Sequence, residues 1–485
     1  MYSPSFWLIA IYILVLPAIG LWARQKQREA SLRDYYLAGG AISLIPLFFT
    51  LYATQYSGNT LFGMAGQAYR EGPVILFTAG GMFMGIAFAF AFAKKLYEQA
   101  REKNHITMVD FLRERFGKSP LLPLANAILI FALASFILTN FKAAGLLIEA
   151  ISGGSISLFW GVFILAVAMA IYESLGGMRG VVLTDMLQGS LLLMGCVFVF
   201  AMIVVILGGP SEMGHLLFVK SSEFWEPPSG GRLMRGVSIV LLLGFALSMY
   251  PHFIQRIYAA KSYSVLRRGF FIMLAMPLFT TVPIILSALA ARFLLPELSG
   301  GQSEQIIPLL LQHLMDNIAW AKILLALFMA AGLAAIMSTI DSALLALGAI
   351  FTRDIIRPLS PKLSEKKLHS IGKSLSWLLM LVMAGFACIL PQSIWALLVL
   401  KLELMLQLMP AMLLGARVPV IRVRPVLSGM VGGIVITVFL KYGLGVQPLN
   451  IHAGNWGLLG NFLIIFALHF IGKTSRIAPL RGGGA

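Results

Sequence analysis

A chain of 485 residues that is 59% hydrophobic and only 12% charged, with a mean hydropathy of +0.87, is not built like a soluble protein, because soluble domains carry about 25% charged residues. Its net charge of +17 does not point to nucleic acid, since the basic residues fall in short clusters between apolar runs, as membrane orientation signals do. Cys196 and Cys388 both lie within apolar runs, which argues against a disulfide framework or a thiolate metal site.

Apolar runs long enough to cross a bilayer recur thirteen times, near residues 6–23, 42–68, 73–94, 120–151, 155–175, 180–207, 235–257, 268–293, 318–352, 371–390, 392–415, 424–440 and 455–472. The first has basic residues after it and none before it, the reverse of a cleaved signal peptide. It reads as a retained helix with its N-terminus outside. Alternate loops are then basic: 28 of the 37 Lys and Arg residues, Arg256 among them, fall on the inner side. Seven, including Lys441, fall outside, and Lys142 and Lys401 lie within spans. The chain is therefore expected in a plasma membrane, such as a bacterial inner membrane, N-terminus outside and C-terminus cytoplasmic. Loop 104–117 is expected to be an inner interfacial helix or a solvated connector, and Ile306–Leu314 a short amphipathic helix on the outer surface.

The second and seventh spans are interrupted. The second carries Thr54-Gln55-Tyr56-Ser57-Gly58-Asn59-Thr60, and the seventh carries Ser248-Met249-Tyr250-Pro251-His252. Gly58 and Pro251 both weaken a helical ladder at matching depth. Two broken helices five spans apart point to an inverted-repeat transporter, although small polar residues can also serve helix packing. The fold class expected is an all-α integral membrane protein of about thirteen helices, with a five-plus-five inverted repeat. Residues 42–207 would form the first repeat and 235–415 the second. Residues 1–41 and 416–485 would be peripheral.

The ninth span holds Ser338, Thr339, Asp341 and Ser342 near its middle. A carboxylate at that depth costs about 2.5–3.5 kcal/mol on insertion scales, so it marks a functional site by default. Ala335, Ser338 and Thr339 are spaced i, i+3, i+4 and share a helix face. A sodium ion entering the membrane must exchange water for other oxygens. An unwound second span could offer the carbonyls of Ala53 and Tyr56. The ninth span would add the carbonyl of Ala335 and the hydroxyls of Ser338 and Thr339.

Four collinear stretches carry a resemblance: Ala53–Gly58 with Gly63 and Gly66, Tyr172–Gln188, Gln255–Ser262, and Ala335–Ser342. Across residues 30–415 the chain resembles the sodium:solute symporters, whose members carry proline, pantothenate, sugars, sialic acid or monocarboxylates. The resemblance implies the LeuT-like fold of the sodium-coupled amino-acid carriers and a sodium site at Ala53, Tyr56, Ala335, Ser338 and Thr339. It further implies that Asp185, Asp341 and Ser342 serve a second cation. The carboxylate at Asp341 departs from the hydroxyl of relatives, and two carboxylates in one cavity could instead share a proton.

Substrate contacts are expected at the two breaks, from Gln55, Ser57 and Asn59 and from Tyr250, Pro251 and His252. The Pro-His pair resembles carriers of proline or small monocarboxylates, while Gln55 replaces the acidic residue of the proline carriers. His252 has no second His or Cys nearby in sequence to make a metal site. Lys142 would meet a substrate carboxylate or Asp185, or else pair with Glu149 or Glu403. Lys401 and Glu403 point to different faces of one helix, so each needs another partner. The function expected is Na+-coupled symport of a small polar solute carrying a carboxylate, with a proton-coupled carrier, a solute sensor or an ion channel as alternatives. No metal-ligand cluster or activated nucleophile suggests an enzyme. The partners expected are the solute and the bilayer, without nucleic acid.

Overall fold

The structure, a computed structural model, describes residues 4–25, 31–152, 154–218, 229–298, 300–315, 321–389 and 394–474. Four basic residues assigned to the inner side, Lys26, Arg28, Arg476 and Arg481, lie outside the described residues. Helices dominate, and among the described residues the only β feature is an isolated parallel bridge between Ile42 and Ala260. Ten helical runs among the described residues are long and apolar enough to cross a membrane.

Some helical boundaries differ from the expected spans. The fifth and sixth spans belong to one 49-residue run, Leu158–Ile206, which would be about 74 Å long if straight, over twice the hydrocarbon thickness. It bends at Gly177, whose φ is +52°. A Cβ there would stand 2.6 Å from Tyr35 Cδ2, so only glycine fits both the dihedral and the space. Residues 94–103, read as loop, lie within the helix Ala93–Lys103. Met108–Phe116 is helical and packed on the protein rather than a solvated connector, with a capping box from Thr107 and Asp110 and with Met108, Phe111 and Leu112 buried. Ile306–Met315 forms the expected short helix and buries Ile306, Ile307, Leu310 and Leu311.

Both interruptions are present. The second span is helical over Leu44–Gln55 and then extends at Tyr56, with φ −102° and ψ 118°. The Ser57 N–H turns to Thr60 Oγ1 at 3.4 Å, and the Ser57 hydroxyl accepts from the Asn59 N–H at 3.2 Å. Short polar side chains thus take over backbone hydrogen bonds that the helix would have made. The seventh span runs Gly230–Leu247, extends at Tyr250 with ψ 129°, and restarts as Pro251–Ala259. Pro251 sits at the first position of the new helix, where its fixed φ is favourable and its missing N–H is no loss.

Gly58 lets the break press against the ninth span, since a Cβ there would lie 2.4 Å from Ile336 Cγ1. Gly58→Ala is expected to destabilise the protein by about 1–3 kcal/mol through overpacking and to weaken the sodium response. Adding Ile336→Ala should recover much of both. Thermal unfolding of the two variants in NaCl and KCl checks this, and an unchanged midpoint in Gly58→Ala would contradict the contact.

The last two spans, Val423–Val438 and Ala453–Thr474, are well integrated with the bundle. The Asn461 amide donates to the Gln407 carbonyl at 3.0 Å, and the Asn455 amide to that of Ser238 at 2.8 Å. On the side assigned as inner, the start of the second span and the end of the seventh are joined. The Ile42 N–H donates to the Ala259 carbonyl at 3.1 Å, and the Lys261 N–H to that of Ile42 at 2.9 Å. Arg101 braces this junction through the carbonyls of Gly40 and Lys261, at 3.0 and 2.6 Å.

Candidate functional site

The break in the second span faces the middle of the ninth. Ala53, Tyr56, Ala335, Ser338 and Thr339 are all fully buried. Ser338 Oγ lies 3.0 Å from the Ala53 carbonyl oxygen and 3.0 Å from that of Ala335. One hydroxyl proton can serve only one of these acceptors. Thr339 Oγ1 is also buried, with no hydrogen-bond partner. Such oxygen-rich surroundings, short of donors and closed to water, suit a hard cation, so the residues present fit sodium.

Toward the start of the second span lies a second buried polar cluster. Asp185 Oδ2 accepts from the Thr50 hydroxyl at 2.5 Å and faces the Arg256 guanidinium at 3.5 Å. Arg256 also donates to Thr50 at 3.2 Å and to Ser342 Oγ at 2.6 Å. Ser342 in turn shares a hydrogen bond with Thr54 at 3.1 Å. Asp341 Oδ2 accepts from the Tyr172 hydroxyl. Asp341 Oδ1 and Asp185 Oδ1 are buried without partners.

Arg256 is fully buried, so it does not serve as the inner-loop orientation charge that its sequence position suggested. It is a site residue that sequence reasoning missed, together with Thr50, Thr54 and Tyr172. Its place in the Gln255–Ser262 motif was the available signal. With both carboxylates ionised, Asp185, Asp341 and Arg256 together leave one negative charge to be balanced.

Between the two breaks is a cavity of about 40 Å³. Five of the seven predicted substrate residues line it: Gln55, Ser57, Asn59, Tyr250 and His252. Pro251 belongs to the same turn but starts the helix and is not in the wall. Apolar walls come from Met82, Ile86, Leu243 and Phe136. Gln55 Oε1, Asn59 Oδ1 and His252 Nδ1 are buried without partners in this otherwise apolar space. An apolar recess with a few convergent polar groups, placed between helices of a bundle, is the ordinary setting of a small-molecule site.

Lys142 is not part of that wall. Burial pushes the Glu304 carboxyl above its usual range, while Arg70 and Lys142 pull it back. Glu403 pairs with Lys441 at 2.5 Å, across to the twelfth span, rather than with Lys142.

Lys401 is fully buried, and its Nζ has no hydrogen-bond partner. The ammonium lies 3.3 Å from the centroid of the Phe136 ring and 5.6 Å from that of Tyr250. Desolvated cation–π contacts are worth about 2 kcal/mol, less than the several kcal/mol lost in removing the ion from water.

Helices broken at two facing points, hydroxyls opposite one break, and a cavity with convergent polar groups between them define a cation-coupled secondary transporter. Comparison with known proteins agrees. The family model described as "Sodium:solute symporter family" matches residues 35–422. The chain belongs to the sodium:solute symporter family, and it is a multi-pass membrane carrier that couples solute movement to Na+ rather than an enzyme. It is 27% identical to the sodium/pantothenate symporter of Haemophilus influenzae over 397 residues, 80% of each chain. It is 26% identical to the sodium/glucose cotransporter of Vibrio parahaemolyticus over 402 residues, 75% of this chain and 71% of that one. Among solved structures, a Na+-coupled sialic acid symporter in a substrate-bound outward-open state superposes with a TM-score of 0.78, at 18% identity over 97% of this chain and 98% of that one. That likeness supports the fold expected from the sequence.

Proposed function

We propose that this chain imports a small polar solute bearing a carboxylate, coupled to sodium bound between the broken second span and the hydroxyls of the ninth. The observation that carries this is the approach of Ser338 Oγ to the Ala53 carbonyl, beside the unpartnered Thr339 hydroxyl. Sodium there would hold Ala53 and Tyr56 against Ala335, Ser338 and Thr339. It would thereby steady Gln55, Ser57 and Asn59 a few residues on. The solute would occupy the cavity, with the unpartnered Gln55 and Asn59 groups meeting its hydroxyl or N–H donors.

Asp185, Asp341 and Ser342 form the second element of coupling. Arg256 neutralises one carboxylate, and the remaining negative charge accepts one further cation or a proton as the bundle moves. The N-terminus is outside and the C-terminus cytoplasmic in a bacterial plasma membrane, with residues 42–207 and 235–415 acting as the two inverted repeats. Alternating access then requires parting the Ile42–Ala260 junction on the inner side. It also requires parting the charged cluster that ties Asp110 to Arg353 at 3.1 Å and Arg113 to Asp354 at 3.1 Å. Inside-negative potential adds about 2.3 kcal/mol per 100 mV for each inward charge.

Proteoliposomes test this with radiolabelled pyruvate, proline, pantothenate and glucose under an imposed inward sodium gradient. The expected result is accumulation of at least one carboxylate, collapsed by a sodium ionophore and resistant to a protonophore. Accumulation that follows an imposed proton gradient and ignores sodium would favour the proton-coupled alternative.

A further inference from the structure

We infer that Lys401 is the residue that selects an anionic solute, its ammonium serving as counter-charge to the solute carboxylate from behind the aromatic wall of the cavity. This rests on the reading of the cavity as the solute site.

Three observations meet at Lys401. First, its ammonium is fully buried, and among the described residues no carboxylate stands within ion-pair distance of it. Its neighbour Glu403 points away and is already paired with Lys441. Buried charges in folded proteins are otherwise paired, hydrogen-bonded or neutralised, so a charge on Lys401 requires an accompanying anion. Second, the two rings that carry the ammonium, Phe136 and Tyr250, both line the cavity, as does the adjacent Leu402. Third, these rings are held in place. Phe136, Tyr250 and His252 stack at centroid distances of 4.6–5.7 Å and interplanar angles of 17–23°. A charge on Lys401 therefore stands within one ring of the solute space, in surroundings too apolar to screen it.

The other charged or titratable groups nearby do not reverse the sign. His252 faces the same wall, and Arg256 lies beyond it, hydrogen-bonded to the His252 carbonyl at 3.4 Å. A cation would be repelled by this end of the cavity, and a neutral solute would leave the ammonium uncompensated. The solute class this chemistry recognises is a small organic monoanion with its carboxylate toward Phe136 and His252. Lys401 acts through the field and position it imposes, so it is a specificity residue rather than a direct ligand of sodium.

The test compares acetate with acetamide, which match in size and differ in charge and can enter any carboxylate site whatever the rest of the natural solute. Thermal unfolding of the full chain in detergent is measured in fixed sodium chloride, with each probe titrated at constant sodium and ionic strength. Wild type is expected to respond to acetate at concentrations at least tenfold below those needed for acetamide. In Lys401→Met that preference should fall to near unity, while the stabilisation given by sodium over potassium, without either probe, is retained. Lys401→Arg should keep the preference, and Lys401→Gln replaces Lys401→Met if the latter does not fold. Equal responses of wild type to acetate and acetamide would overturn the inference, as would an acetate preference that survives loss of the charge. Loss of the sodium effect in wild type would instead contradict the sodium site.

Discussion

Replacing Ser338 or Thr339 by alanine is expected to raise the sodium concentration that half-stabilises the purified protein by roughly 10- to 100-fold. Each hydroxyl would contribute an oxygen to the proposed site, and both residues are fully buried. An interaction of this kind with a charged group is worth about 1.5–3 kcal/mol, which corresponds to that range. The two variants should differ in one respect. Ser338 also donates to the Ala53 or the Ala335 carbonyl without help from an ion. Its loss should therefore lower the unfolding midpoint even in potassium. Thr339 Oγ1 has no such partner, so Thr339→Ala should leave the potassium midpoint near wild type. Titration of unfolding temperature with NaCl, at ionic strength fixed with KCl, separates these effects.

The second large effect is expected at Asp185. Its side chain and that of Arg256 are both wholly removed from solvent, and their charged atoms lie 3.5 Å apart. Taking one partner from a buried pair leaves an uncompensated charge, which costs about 3–5 kcal/mol. Asp185→Asn should therefore lose stability and transport together. The double variant Asp185→Asn with Arg256→Met removes both charges and should regain a substantial part of the lost stability. It should not regain transport if the pair is part of coupling. Unfolding midpoints of the single and double variants, with sodium-driven uptake in proteoliposomes, test both halves. A double variant no more stable than Asp185→Asn would show that the pair is not what holds these helices.

Much of this arrangement could be read from residue order. Glycine, proline and short polar side chains have local effects on a helix, so the interruptions at Tyr56 and Tyr250 were visible without knowing the neighbours. The i, i+3, i+4 spacing of Ala335, Ser338 and Thr339 fixed a shared face for the same reason. Partners chosen by packing were harder to read. Arg256 follows an apolar span and counts as a loop charge by position, yet its helix turns it inward onto Asp185, 71 residues away in sequence. Lys142 looked like the substrate cation because it lies within a span, but Lys401 is the lysine beneath the cavity rings. Nothing in the spacing says which of two intramembrane lysines faces the breaks. The opposed faces of Lys401 and Glu403 implied a separate partner for each: Glu403 finds Lys441 after the twelfth span, whereas Lys401 Nζ, among the described residues, meets only rings. The helical boundaries slipped where hydrogen bonding continues through a bend, as at Gly177.

Equilibrium binding of radioactive sodium to the purified protein, with no solute present, decides whether the second and ninth spans hold the ion. Wild type is expected to bind saturably, competed by unlabelled sodium and not by potassium, and the binding is expected to vanish in a Ser338→Ala, Thr339→Ala double variant that still folds. Unchanged binding in that variant would contradict a sodium ion lodged between the second and ninth spans.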